Sequence, residues 1–255
     1  MKHKNILIIS DIEGSSACWS YRASSFLTRA WRRSCVGMTK DVNEVVKGLF
    51  EAGVEQITVK DFHRTGYNIL SEGVDPRARL VSGYRRGPVP GIGDPGNATA
   101  VMFLGMHAAS GTDGFLAHTM TSRISRLEVN GKPIPEVALF SASLAPYGLQ
   151  PVFFSGCPVA CNQAQAVITG IHIHPIDKRV GEGGFNADSW RSGLAAAAVE
   201  SLQNDSAVPY MPKGPFQAVL TMRDGEQPAR KIARRWNLSY KDARIFVDAD
   251  NIHEL

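Results

Sequence analysis

The sequence predicts an α/β protein with a mostly parallel central sheet flanked by helices and a smaller mixed α+β portion toward the C-terminus. Three observations carry that prediction. The run NILIIS at residues 5–10 is unbroken and apolar and is followed directly by Asp11, the pattern of a strand buried on both faces with polar groups at its carboxyl end. Residues 39–53 then place Val42, Val45, Val46, Leu49 and Phe50 at helical spacing, and QITVKD follows as a second strand. A strand, helix, strand succession of this kind builds parallel sheets. Finally, 255 residues with 44% hydrophobic content suffice for one large core.

The first helix is expected to start at a capping Thr39 and to end at Gly53. Residues 79–82 and 99–104 read as further strands, separated by a loop rich in Gly and Pro. The segment 126–133 reads as a hairpin, because Asn130-Gly131 suits a type I′ turn. A helix from Pro135 to about Tyr147, a strand at 151–155 and an Ala-rich helix over 187–203 follow. The remainder reads as a strand at 216–222, a basic helix near 228–236 and a strand at 244–248.

Charge excludes little and includes little. Lys and Arg number 28 against 24 Asp and Glu, a net charge of +4, which gives no reason to expect nucleic acid as a partner. The apolar runs are far shorter than the ~20 residues of a membrane span, and the N-terminus lacks the apolar length of a signal peptide. The reading is a cytoplasmic protein with no membrane partner. Cys18, Cys35, Cys157 and Cys161 are too few and too scattered for a disulfide framework, and Cys157 with Cys161 makes only a weak zinc pair. Arg22, Arg29, Arg32 and Arg33 either rim a site for an acidic substrate or form a solvated face.

The chemistry concentrates where strands stop. Asp11 and Glu13 follow the first strand, Asp61 and His63 follow the second, and His107 follows TAVMFL. In an open parallel sheet the carboxyl ends of adjacent strands share one crevice, so these groups can meet there. Carboxylates held together repel unless a cation sits between them, and carboxylate mixed with imidazole suits zinc. Each residue taken singly also has an ordinary role, Asp11 as a helix cap and Glu13 as a solvated acid. His172 and His174, alternating on one strand, are a secondary metal candidate.

The motifs DIEG (11–14), MTKDVN (38–43), KDFHRTGYN (60–68), LVSG (80–83), FLGMHA (103–108), AHTM (117–120), VNGKPIPEVAL (129–139) and PVFFSG (151–156) occur in one order. In that order the sequence resembles the DppA-type D-aminopeptidases, peptidase family M55, zinc enzymes that assemble into rings. The resemblance implies zinc ligands at Asp11, Glu13, His63, His107 and Glu136, two ions per subunit, and a catalytic His118. It decides Glu136, which on spacing alone reads equally as an acid favoured at a helix start. Asp61 is expected to accept a hydrogen bond from a ligand imidazole, with Arg64 and Asn68 contacting substrate. The implied function is a zinc-dependent amidohydrolase or aminopeptidase cleaving short peptides or amino-acid amides, D-residues included, in a homo-oligomer. The alternatives are a dinuclear hydrolase of a non-peptide amide or phosphoester, and a non-catalytic metal-binding α/β protein. Residues 1–160 would form the metal-binding catalytic core and 161–255 a smaller portion packed on it, or the whole one continuous domain.

Overall fold

A computed structural model describes residues 2–254. Its elements in chain order are β1 (Asn5–Ser10), α1 (Tyr21–Ser24), α2 (Arg29–Glu51), β2 (Gln56–Asp61), β3 (Arg79–Val81), β4 (Ala100–Met106), β5 (Ile124–Val129), β6 (Lys132–Pro133) and α3 (Glu136–Leu144). Then come β7 (Gln150–Gly156), α4 (Pro158–Val167), β8 (His172–Pro175), α5 (Ala187–Glu200), β9 (Phe216–Met222), α6 (Glu226–Trp236), β10 (Ser239–Lys241) and β11 (Arg244–Ala249).

Six strands form a parallel sheet in the order β3-β2-β1-β4-β7-β8. Alternate residues of β1 enter opposite cores. Ile6 and Ile8 pack with Met38, Val42 and Leu49 of α2 and Leu194 of α5, whereas Leu7 and Ile9 pack with Phe140 of α3 and Ala160 of α4. Burial on both faces is why the strand reads as a continuous apolar run rather than an alternating one. The chain winds from β1 through β2 to β3 in one direction and from β4 through β7 to β8 in the other. The winding therefore reverses between β1 and β4, and a crevice opens beyond their carboxyl ends.

An antiparallel sheet in the order β10-β11-β9-β5-β6 stands beside this layer. Helix α3 links the two, since Phe140 enters the core of the first sheet while Ala138 packs with Ala229 and Ala233 of α6 under the second. The strands of the two sheets interleave across residue 160. β5 and β6 precede it and join β9, whereas β8 follows it and joins β7. Among the described residues no helix is long and apolar enough to cross a membrane.

The helices expected to reach Tyr147 and Gln203 end at Leu144 and Glu200 and pass into single 3-10 turns, and one further boundary differs by more. Helix α2 starts at Arg29, ten residues before Thr39, and Thr28 caps it by accepting a hydrogen bond from the Trp31 N–H at 2.9 Å. Thr39 lies mid-helix, where its hydroxyl donates to the Cys35 carbonyl and accepts from the Leu70 N–H. Gly37 lies within this helix. It is a contact point, because a Cβ there would collide with Ala17. The hairpin holds as expected, with Asn130 at φ 50° and Gly131 at φ 74°.

Candidate metal centre

The crevice at the winding reversal collects the acidic and imidazole groups. Asp11 and Glu13 leave β1, His63 leaves β2, His107 leaves β4, and Glu136 opens α3. All five are between 3% and 5% exposed. The turn after β1 is pulled onto β4 by two backbone hydrogen bonds, Asp11 N–H to Leu104 O at 2.8 Å and Gly14 N–H to Gly105 O at 2.7 Å. That approach requires glycine on both sides. Gly105 has φ 70°, and a Cβ there would run into the Asp11 carbonyl, while a Cβ on Gly14 would lie 2.5 Å from the Met106 carbonyl oxygen.

The donor atoms fall into two groups. Asp11, Glu13 and His63 form one and His107, His118 and Glu136 the other, with ligand atoms within 4.8 Å of each other in each group. His63 Nδ1 lies 3.0 Å from Asp11 Oδ1 and 3.1 Å from Glu13 Oε2. His107 Nε2 lies 3.3 Å from Asp11 Oδ2 and 3.4 Å from Glu136 Oε1. The remaining imidazole nitrogens face backbone carbonyls, which only accept. His63 Nε2 donates to Ser24 O at 2.9 Å, His107 Nδ1 to Ala108 O at 3.0 Å and His118 Nδ1 to Leu116 O at 2.8 Å. These bonds fix the ring orientations and leave the nitrogen facing the carboxylates as the basic one. The His118 ring stacks on His107 with centroids 3.7 Å apart and planes 13° from parallel.

Electrostatics explains what the cluster lacks. Burial alone would push Asp11 and Glu136 up and the histidines down, yet the mutual attraction wins. The two carboxyls are held below their ordinary range and His63 is raised well above its own. Glu136, Asp11 and Glu13 lift His107 against its burial to about 10. Protons on His63 and His107 thus offset the three buried carboxylates in part. Even so, Glu13 Oε2 and His107 Nε2 find no hydrogen-bond partner of good geometry. Buried orphan atoms on both sides of Asp11 are what a donor set for divalent cations looks like when described by its side chains, so the residues fit the metal.

A family model described as D-aminopeptidase, peptidase M55, matches residues 4–250. The chain belongs to the M55 D-aminopeptidase family. A curated D-aminopeptidase of Bacillus subtilis (strain 168) is 26% identical over 145 residues, 56% of this chain and 52% of that protein. The chain therefore spans about half the length of the curated relative it matches. The solved structure titled Zn-dependent D-aminopeptidase DppA from Bacillus subtilis, a self-compartmentalizing protease, superposes with a TM-score of 0.86 at 20% identity. It covers 98% of this chain and 93% of that one.

In this M55 chain Asp11, Glu13, His63, His107, Glu136 and His118 come together in one crevice, whereas the residues expected around them divide. Asp61 accepts no bond from an imidazole among the described residues. Its oxygens instead take the Asn68 N–H at 2.5 Å, the Ile69 N–H at 2.8 Å and the Asn68 side-chain amide at 2.8 Å. Asn68 also donates to the His63 carbonyl at 2.7 Å and accepts from Trp31 Nε1 at 2.9 Å, so it has no group left for substrate. The pair shapes the loop that carries His63. Arg64 does line the cavity above the metal set, a space of about 1100 Å³ that Tyr84, Met120 and Arg223 also border. Arg223 follows β9 in the second sheet and carries no motif that would single it out. Arg22, Arg29, Arg32 and Arg33 are exposed and line no part of that cavity, which makes them the solvated face. His172 and His174 join no donor group among the described residues, and the four cysteines are free and buried.

Proposed function

We propose that this protein is a zinc-dependent aminopeptidase that hydrolyses short peptides or amino-acid amides, with D-residues among its substrates. Asp11 carries the reading. Its two oxygens face different imidazoles, at 3.0 Å and 3.3 Å, which is the disposition of a carboxylate shared by two cations. Glu13 and His63 would hold one ion, His107 and Glu136 the other, with Asp11 between them. Imidazole and carboxylate in this mixture suit zinc. When bound, the ions supply the Lewis acidity that polarises a scissile carbonyl and the charge that lowers the pKa of water toward ~7.

The chain's own groups supply the rest. His118 keeps a hydrogen on Nδ1, bonded to Leu116 O, and so presents Nε2 as the atom that takes up a proton during attack and returns it to the departing amine. Such a positioned group contributes ~10² to 10⁴-fold. Stacking on His107 holds the ring in place. The cavity of about 1100 Å³ suits a short peptide rather than a folded chain. The relative's description as a self-compartmentalizing protease supports a homo-oligomer here, in the form of a ring. Four free thiols support the cytoplasm as the compartment.

Metal content of protein purified without chelators, measured beside hydrolysis of L- and D-alaninamide with and without chelator, tests the reading. About two zinc ions per chain and chelator-sensitive cleavage are expected. Stoichiometric metal without cleavage of any amide would move the substrate to another class, and protein that takes up no metal would overturn the proposal.

A further inference from the structure

Lys60 stands one residue before the end of β2 and is 1% exposed, yet it lines the same cavity as the metal set, beside Phe62, Tyr84 and Gly91. Its Nζ donates a hydrogen bond to the Gly83 carbonyl on that cavity wall. An ammonium has three donors, so two remain. Among the described residues no carboxylate oxygen lies within 4.0 Å of it. Asp61 is next in sequence, but both its oxygens are taken by Asn68 and Ile69. Arg85 nearby adds repulsion, and burial lowers the ammonium to about 8. A cation removed from water without a counter-ion is costly, and such groups persist in clefts where a ligand supplies the missing charge. Arg64 and Arg223 on the same cavity favour a ligand of the same sign.

We propose that Lys60 is a specificity-determining residue that pairs with a carboxylate of the substrate, which makes short peptides with a free C-terminal carboxylate better substrates than their amides. This inference rests on the aminopeptidase reading. The geometry supports it independently of metal chemistry, since Lys60 belongs to neither donor group.

The test compares zinc-loaded wild type with Lys60→Met, which keeps the apolar stem, and Lys60→Gln, which keeps a donor. The readout is the ratio of kcat/KM for alanyl-alanine to that for alanyl-alaninamide, in L,L and D,D forms. A loss common to both substrates, from misfolding or weaker metal binding, cancels in this ratio. Wild type should prefer the free acid about tenfold or more, the scale of a charge-assisted hydrogen bond, and the ratio should fall to about 1 in both variants. If the variants instead lose a preference for alanyl-aspartamide over alanyl-asparaginamide, Lys60 reads a carboxylate on a side chain, and the assignment stands with that source. A ratio near 1 in wild type for both pairs, or one unchanged by both substitutions, overturns it. If no form cleaves any peptide, the aminopeptidase reading fails and Lys60 is judged by binding alone. N-acetylalanine should then bind wild type more tightly than N-acetylalaninamide, and the variants should lose the difference. Equal binding in wild type overturns the assignment.

Discussion

Gly14→Ala is the sharpest test of how the fold builds the metal centre. Gly14 follows Glu13 directly and has no left-handed backbone, so the substitution introduces no conformational strain of its own. What it introduces is a Cβ lying 2.5 Å from the Met106 oxygen, 2.7 Å from the Gly105 carbon and 2.9 Å from the Gly105 oxygen. Real Cβ atoms keep at least 3.0 Å, so the turn carrying Asp11 and Glu13 must retreat from β4 by about 0.5 Å. All three obstructing atoms are backbone in a buried strand and cannot rotate away. The cost should lie toward the upper end of the overpacking range, about 3 kcal/mol. The retreat also separates Asp11 Oδ2 from His107 Nε2, which stand 3.3 Å apart. Disturbing the support of metal ligands typically lowers affinity ~10 to 100-fold. Urea denaturation and competition against a chromophoric zinc chelator measure the two effects. Gly183→Ala is the control, since its Cβ would meet nothing within 4 Å and its φ is ordinary. It should be neutral or stabilising by up to about 1 kcal/mol, with zinc affinity unchanged. A Gly14→Ala protein as stable as that control, binding zinc as tightly as wild type, would refute the argument that backbone contact between β1 and β4 positions the ligands.

Three further outcomes are expected. His118→Ala should lower kcat by ~10² to 10⁴-fold while the zinc content stays that of wild type, and the loss of one ion would make His118 a ligand instead of a proton carrier. Asn68→Ala removes partners from Trp31 Nε1, Asp61 and the His63 carbonyl at a site 1% exposed. It should destabilise by about 2 to 4 kcal/mol and weaken zinc binding, and a change below about 0.5 kcal/mol in denaturation would exclude the bracing role of Asn68. Lys178 donates to the Ser15 and Cys18 carbonyls, and burial lowers its ammonium from 10.5 to about 8. Between those values the unfolded chain keeps a proton that the folded chain has lost, so stability rises with pH. Wild type should gain on Lys178→Met by on the order of 3 kcal/mol from pH 8 to 10.5, and a difference that stays flat with pH in urea melts would show that the amine is not desolvated.

Much of the sheet was legible in the sequence because both of its faces are buried. NILIIS and TAVMFL are apolar runs for that reason, QITVKD between polar residues carries the β-branched Ile57 and Val59, and the polar groups that follow, Asp11, Asp61 with His63, and His107, mark where a parallel sheet ends. The start of α2 was not legible. Its first ten residues mix exposed arginines with buried side chains as different as Trp31, Ser34 and Cys35, and Gly37 among them is a packing contact with Ala17.

The sequence by itself determined the fold class, through its apolar runs and periodicity, and singled out the residues that the structure gathers in one crevice, through motifs whose order is shared with M55 peptidases. Glu136 and His118 were legible only through that likeness, since nothing in their local spacing distinguishes a ligand from a helix-start acid or a loop histidine. The tertiary structure decided which groups face one another in the crevice and which hydrogen-bond into their own loops. Asp61 and Asn68 sit in the same motif as His63, yet three hydrogen bonds turn Asp61 toward the loop backbone, away from the imidazole. It also decided that Arg223 and Lys60 share one cavity with the metal set while the arginine cluster at 22–33 does not. The physical reason is that periodicity reports which side of an element is buried, whereas hydrogen-bond direction and the meeting of distant strand ends depend on contacts that no local stretch of sequence contains.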